Sequence, residues 1–232
     1  MFEFQQRGVL MEKYLPLLQS SPLFAQIASS EIIAMLHCLG AIITTKPKDS
    51  YILTTGDTTN YIGLILTGSV LLCQEDIWGH RNIITNALPG DTFAEAYAAV
   101  PKIPLNVSVV AKENCNFLKL DMQRVLSTCP AHCKQHGQMI NNLVTVLARK
   151  NIVMNEKITH MSKRSTRNKL LSYLSAQAQK NNNLTFTIPF DRQQLADYLC
   201  VERSAMSMEL SKLQREGLLT TNRNVFTLNS KS

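Results

Sequence analysis

The chain has 232 residues, of which 45% are hydrophobic and 18% charged, and a formal net charge of +7. These values exclude a disordered or collagen-like polymer and give enough length for two compact units. No stretch of about eighteen apolar residues occurs, and Met1-Phe2-Glu3-Phe4 lacks a basic-then-apolar leader, so a cytoplasmic protein without a membrane partner is expected.

Charge is unevenly spread. Residues 161–232 hold 11 Lys/Arg against 5 Asp/Glu, a balance of +6, whereas the first 160 hold 13 against 12, or +1. A basic C-terminal third favours a polyanionic partner, because clustered cations release counterions from phosphates on binding. The six cysteines, at 38, 73, 115, 129, 133 and 200, are too dispersed for a disulfide framework and suit a reducing compartment.

Taken in order, the chain opens with 3-to-4 apolar spacing broken by Pro16 and Pro22, which predicts short helices. Between Ala41 and Asp121 the texture becomes β-branched. Short runs begin at Ala41, Tyr51, Tyr61, Val70, Asn82, Val107 and Asn116, divided by turn signals at Gly56-Asp57, Thr67-Gly68, Trp78-Gly79 and Pro89-Gly90-Asp91. Evenly spaced short strands predict an antiparallel, cupin-like β-roll with its flanking helices over residues 1–130.

After Pro130 the pattern turns helical for about thirty residues, predicting one long helix over 131–161. Ile140, Leu143, Leu147 and Met154 recur at heptad-related positions, interrupted by Lys150 and Lys157. A second stripe of Met139, Val146 and Val153 runs beside them. Two stripes ask for two partners: the roll, and a second copy of the chain. The expected dimer contacts are Ile140, Leu143, Leu147 and Met154.

A polar segment from Met161 to Arg167 predicts a domain boundary, with residues 162–232 as the last unit. Another helix from Asn168 and an alternating strand at Leu184–Ile188, ended by Pro189, follow. From Asp191 two helices can be parsed. Asp191 and Gln194 make a capping box, Leu195, Ala196 and Leu199 an inner face, and a short turn at Cys200 leads to a second helix. That helix presents Met206, Leu210 and Leu213 inward and Arg203, Ser204, Ser207 and Met208 outward, which is helix-turn-helix spacing. Gly217 stops it, and Leu218 to Leu228 reads as a hairpin turning at Asn222–Asn224, a wing. The expected fold class is therefore α+β: a β-roll, a long dimerisation helix and a winged helix-turn-helix.

Double-stranded DNA is the partner this order predicts. Arg203, at the start of the second helix, has the fork that bonds guanine O6 and N7 together; Ser204, Ser207 and Met208 are its neighbours in the groove. Arg192, Lys212 and Arg223 suit phosphates.

In this order of parts the chain resembles the cyclic-AMP receptor protein and fumarate-nitrate regulator (Crp/Fnr) family of bacterial transcription factors. The resemblance rests on Leu195-Ala-Asp-Tyr-Leu-Cys-Val-Glu-Arg-Ser-Ala-Met-Ser-Met-Glu-Leu-Ser-Lys-Leu213 with Glu216-Gly-Leu-Leu219, and in the roll on Gly56-Asp57, Leu66-Thr-Gly-Ser-Val70 and Pro89-Gly-Asp91. It implies a homodimer on a palindromic operator that acts on RNA polymerase, with a small-molecule effector in the roll.

The effector position departs from the family's cyclic-nucleotide pattern. Ala94-Glu95-Ala96-Tyr97 stands where Gly-Glu-Leu-Ala is usual, and Leu105 and Asn106 fall where an Arg and a small hydroxyl residue clamp the cyclic phosphate. Cyclic AMP is not the expected effector. Nor is an iron-sulfur cluster, because no cysteine precedes Cys38. Cys129, His132, Cys133 and His136 form the one local group with ligand chemistry and define an alternative, a redox- or metal-responsive regulator. A cupin-type enzyme is the rival class; the several metal-binding histidines it needs on roll strands are missing.

Overall fold

The computed structural model describes residues 11–75, 78, 81–100, 102–127 and 134–229. By residue contacts it divides into two compact units: the described residues of 1–75 and 85–150, and those of 76–84 and 151–232. Each is taken by itself below.

The first unit begins with two short helices, α1 (Leu15–Ser20) and α2 (Ser29–Cys38), joined by a 3-10 turn at Pro22–Phe24 whose N-cap Ser21 accepts from the Leu23 amide. Pro16 and Pro22 each stand in the first turn of their elements, where a missing N–H costs nothing. Strands follow: β1 (Ile42–Lys46), β2 (Tyr51–Leu53), β3 (Tyr61–Thr67), β4 (Val70–Glu75), β5 (Arg81–Ala87), β6 (Thr92–Phe93), β7 (Ser108–Ala111) and β8 (Cys115–Asp121). Seven of them fall where the β-branched runs predict. The eighth, β6, is two residues long and has no pattern to announce it.

They form two four-stranded sheets, β1-β8-β3-β6 and β2-β7-β4-β5, and the pairs with a defined register are antiparallel. Two short helices, α3 (Glu95–Ala99) and α4 (Met122–Leu126), complete the roll. Gly63 in β3 marks a close approach. A Cβ there would lie 2.0 Å from Cζ of Phe93, so glycine lets that ring, set edge-on to Phe117 at 5.3 Å, fill the space against the sheet.

The long helix α5 (Lys134–Met161) contributes to both units. Its first half carries Met139 and Leu143 into a core shared with Leu18, Phe24, Leu36, Leu64 and Leu118, and Leu147 packs against that core. This corrects the expected dimer face. Leu143 is 3% exposed and has no surface to offer a second copy, and Leu147 is partly buried against the same core. Ile140 is half-buried; of the four residues only Met154 is exposed. The outward stripe is different: Val144, Ala148, Asn151, Asn155 and Ile158 recur at 4-3-4-3 spacing with Ile152 beside them, and all are exposed.

The second unit contains α6 (Thr166–Asn181), β9 (Thr185–Thr187), α7 (Arg192–Leu199), α8 (Arg203–Arg215), β10 (Leu219–Asn222) and β11 (Val225–Leu228), the strands forming a sheet in the order β10-β11-β9. Ser165 caps α6, accepting from the Asn168 amide. Leu170, Tyr173 and Leu174 of α6 bury with Leu195, Leu199, Met206, Leu210 and Leu213 of the other two helices. Tyr173, Phe190 and Tyr198 add an aromatic cluster, with ring centres 4.8 to 6.5 Å apart. Burial pushes the Tyr173 phenol up strongly and that of Tyr198 up to about 12.

Candidate nucleic-acid interface and roll site

The helix-turn-helix is built by local chemistry. Asp191 accepts from the Gln194 amide at 2.8 Å while the Gln194 side chain accepts from the Asp191 amide at 3.1 Å, the expected capping box. Cys200 ends α7 in the left-handed region at φ 50°, a conformation that costs an L-residue more than glycine. Lys169 holds the turn, its Nζ donating to the carbonyls of Leu199 at 3.3 Å and Cys200 at 3.2 Å, a cation at a helix C-terminus. Small Ala196, fully buried, allows the helices to pack closely.

The consequence is the face of α8. Met206, Leu210 and Leu213 are buried, whereas Arg203, Ser204, Ser207 and Met208 are exposed together on the N-terminal half. At the wing tip Arg223 is exposed with φ 52°, the first residue of a two-residue turn of the hairpin between Asn222 and Val225.

Two expected phosphate contacts are differently placed. Arg192 is half-buried: its guanidinium lies over Phe226, 4.9 Å from the ring centre, and Nη2 donates to Oγ1 of Thr221 at 2.7 Å. It braces the wing against α7, and burial lowers its pKa. Lys212 is exposed but paired with Glu209 one turn back at 2.9 Å. Sequence pattern misses the placement of Arg192 because Thr221 and Phe226 lie far from it in sequence, whereas the i,i+3 spacing of Glu209 and Lys212 is a signal that could have found their pair.

A second group of contacts joins residues 82 and 83 of the β5 strand to the same unit. Lys157 on α5 is buried; it donates to the Ile83 carbonyl and to Asn82 Oδ1 at 3.3 Å, and lies 4.5 Å from the Tyr198 ring centre. Burial pulls its pKa down to about 8. Asn82 Oδ1 also accepts from the Cys200 thiol at 3.4 Å, a second tie within the second unit between the helix-turn-helix turn and Asn82.

In the roll, the expected effector residues separate. Ala94 (φ 64°, the position for which the family pattern has glycine), Glu95 and Leu105 are buried; Ala96 and Asn106 are exposed. A hydrogen bond from Tyr97 to Asn106 draws the two segments together. Glu95, its side chain 4% exposed, is ion-paired to Lys150 of α5, which also donates to the Thr92 carbonyl at 2.5 Å. Lys150 and Lys157 therefore interrupt the apolar stripe because each has an internal acceptor. The signal that could have found these partners is the pair of lysines seven apart at interior positions, which need buried acceptors.

Of the four metal candidates, Cys129, His132 and Cys133 lie outside the described residues. His136 is buried, with Nε2 2.8 Å from the Val125 carbonyl, a structural bond.

These features define a regulator in which a winged helix-turn-helix is joined to a β-roll of the cyclic-nucleotide-binding type. The model of the cyclic nucleotide-binding domain matches residues 44–132, and that of the Crp-like helix-turn-helix domain matches residues 168–231. The chain belongs to the Crp/Fnr family of DNA-binding transcription regulators. Solved structures share its fold. The c-di-GMP responsive global regulator CLP of Xanthomonas campestris is 14% identical over 87% of this chain and 100% of its own, at a TM-score of 0.70. FixK2 from Bradyrhizobium japonicum is 18% identical over 82% and 93%, at 0.62. OCPA-complexed CprK (C200S) is 14% identical over 85% and 88%, at 0.69. No curated protein sequence matches significantly. Among the described residues no helix is long and apolar enough to cross a membrane.

Proposed function

We propose that this protein is a homodimeric, sequence-specific regulator that reads a palindromic operator with Arg203, Ser204, Ser207 and Met208, while Arg223 and Lys212 meet phosphates. The single observation that carries the reading is the exposed N-terminal face of α8, set on three buried apolar residues and held at its turn by Lys169. Two copies give the twofold symmetry that places both recognition helices one helical turn of DNA apart. Their contact is the outward stripe of Val144, Ala148, Asn151, Ile152, Asn155 and Ile158, whose heptad spacing suits two parallel helices and whose asparagines set register. We infer cytoplasmic location and contact with RNA polymerase, readings that family membership supports.

The effector belongs in the roll beside Glu95, and we infer that it is not cyclic AMP. Leu105 is buried and apolar, Asn106 is bonded to Tyr97, and neither offers a cation to a cyclic phosphate. Selection of random duplex DNA by the full chain should enrich an inverted repeat; a single half-site would overturn the dimeric reading. Ile158→Glu should yield monomers in sedimentation, and dimers that persisted would remove the stripe as interface. Titration with cyclic AMP should give no calorimetric heat, and micromolar binding would overturn the effector inference.

A further inference from the structure

Met208 is 60% exposed, an apolar side chain on the base-reading face of α8 beside the hydroxyls of Ser204 and Ser207. We propose that Met208 selects thymine by packing its thioether on the C5-methyl group, so that one fixed A·T step in each half-site is set without any hydrogen bond. The inference rests on the DNA-binding reading and deepens it.

Three observations converge on this. Ser204 and Ser207 are short, so an unbranched methionine one turn beyond Ser204 extends past both toward whatever the helix is laid against. Ser211, the next residue along the face, turns its hydroxyl back to the Ser207 carbonyl at 3.0 Å, and Glu209 is taken by Lys212. Among these residues beyond Arg203 on the helix, Met208 alone extends without a polar partner. In the major groove each base pair shows donors and acceptors that a thioether cannot satisfy; only thymine shows an apolar group. A G·C pair against Met208 would leave O6, N7 and N4 groups dehydrated and unpaired, which is costly. Methionine's flexible chain can close on a methyl group without strict geometry.

The test begins with the operator enriched by the full chain from random DNA. Thymines are then replaced one at a time by deoxyuridine, which removes only the methyl group. Wild-type protein should lose about fourfold in affinity at one thymine per half-site, and about 15-fold with both half-sites changed, the loss expected for one methyl-sized group each. Met208→Ala, at an exposed position that leaves the core untouched, should bind the thymine and uracil sites equally, while Arg203→Ala keeps the discrimination. Uracil tolerated at every position, or a penalty that persists in Met208→Ala, would overturn the inference with the DNA-binding reading intact. A selection that enriches no sequence would overturn that reading, and this inference with it.

Discussion

The two candidate sites of this chain are opposites. On α8 the functional face is open, made of short hydroxyl side chains, one methionine and one arginine. Beside β6 the roll is filled: Phe93 covers Gly63, and Lys150 occupies Glu95. The open face is ready to bind a rigid partner that brings its own donors and acceptors. The filled one must first give something up, and the ion pair is uneven in what it can give. Glu95 is 4% exposed and Lys150 39% exposed, so the lysine head can swing to water while the carboxylate cannot.

That unevenness can be broken directly, and it gives the largest effect. Lys150→Ala should destabilise the first unit by about 3 kcal/mol, because it leaves Glu95 buried and uncompensated. Glu95→Gln should cost about 1 kcal/mol, because Lys150 keeps the Thr92 carbonyl and its path to solvent. Urea unfolding of both variants, read together with hydrogen exchange in β3 and β6, measures the difference. Equal losses would mean that Glu95 has another partner.

The open face gives the next largest effect. Arg203→Ala should cost about 1–3 kcal/mol at the selected operator and relax one base position per half-site. Affinity lost evenly over all sequences would make Arg203 a phosphate contact and shift the base reading elsewhere on α8. A smaller effect of opposite sign is expected at the turn. Cys200→Gly should stabilise the second unit by about 0.5–1 kcal/mol, since glycine takes the φ of 50° without strain, offset in part by its freer unfolded chain. Thermal unfolding at fixed pH checks it; a lower midpoint would show that the thiol bond to Asn82 outweighs the backbone strain.

The same contrast explains what the sequence made legible. The helix-turn-helix rests on neighbours within four residues: Asp191 with Gln194, Leu195 with Leu199, Met206 with Leu210. Such spacing is visible in one dimension. The strands of the roll were legible for a related reason, their β-branched runs being cut by glycine turns. Contacts of long sequence separation were not. Glu95 and Lys150 are 55 residues apart, and Arg192 leaves the expected phosphate set because Phe226 and Thr221 come back to it through the wing. The long helix shows the limit most plainly. Periodicity reveals two stripes on α5 but not that residues of both are buried in the first half of the helix, Met139, Leu143 and Val146 fully and Leu147 partly, so that the outward stripe is a third one. The outward stripe carries asparagines, which dilute its apolar pattern.

The smallest expected effect concerns His160, near the end of α5. It is buried, with Nδ1 2.8 Å from the Ser172 hydroxyl and its ring edge-on to Tyr173 at 5.9 Å. Burial lowers its pKa; Lys180 and Lys163 add to the lowering and Glu156 opposes it. The neutral ring is thus the folded form, and an unfolded chain takes up a proton at higher pH than the folded one does. The sign follows from that difference: stability contributed by His160 is full above the unfolded value near 6.5 and is lost as pH falls through it toward the folded value. The second unit should therefore unfold more readily at pH 5 than at pH 7. In His160→Gln, which keeps a polar group for Ser172 but cannot titrate, that slope should flatten while α8 remains folded. An unchanged slope between pH 7 and pH 5 would assign the acid sensitivity to a group other than His160.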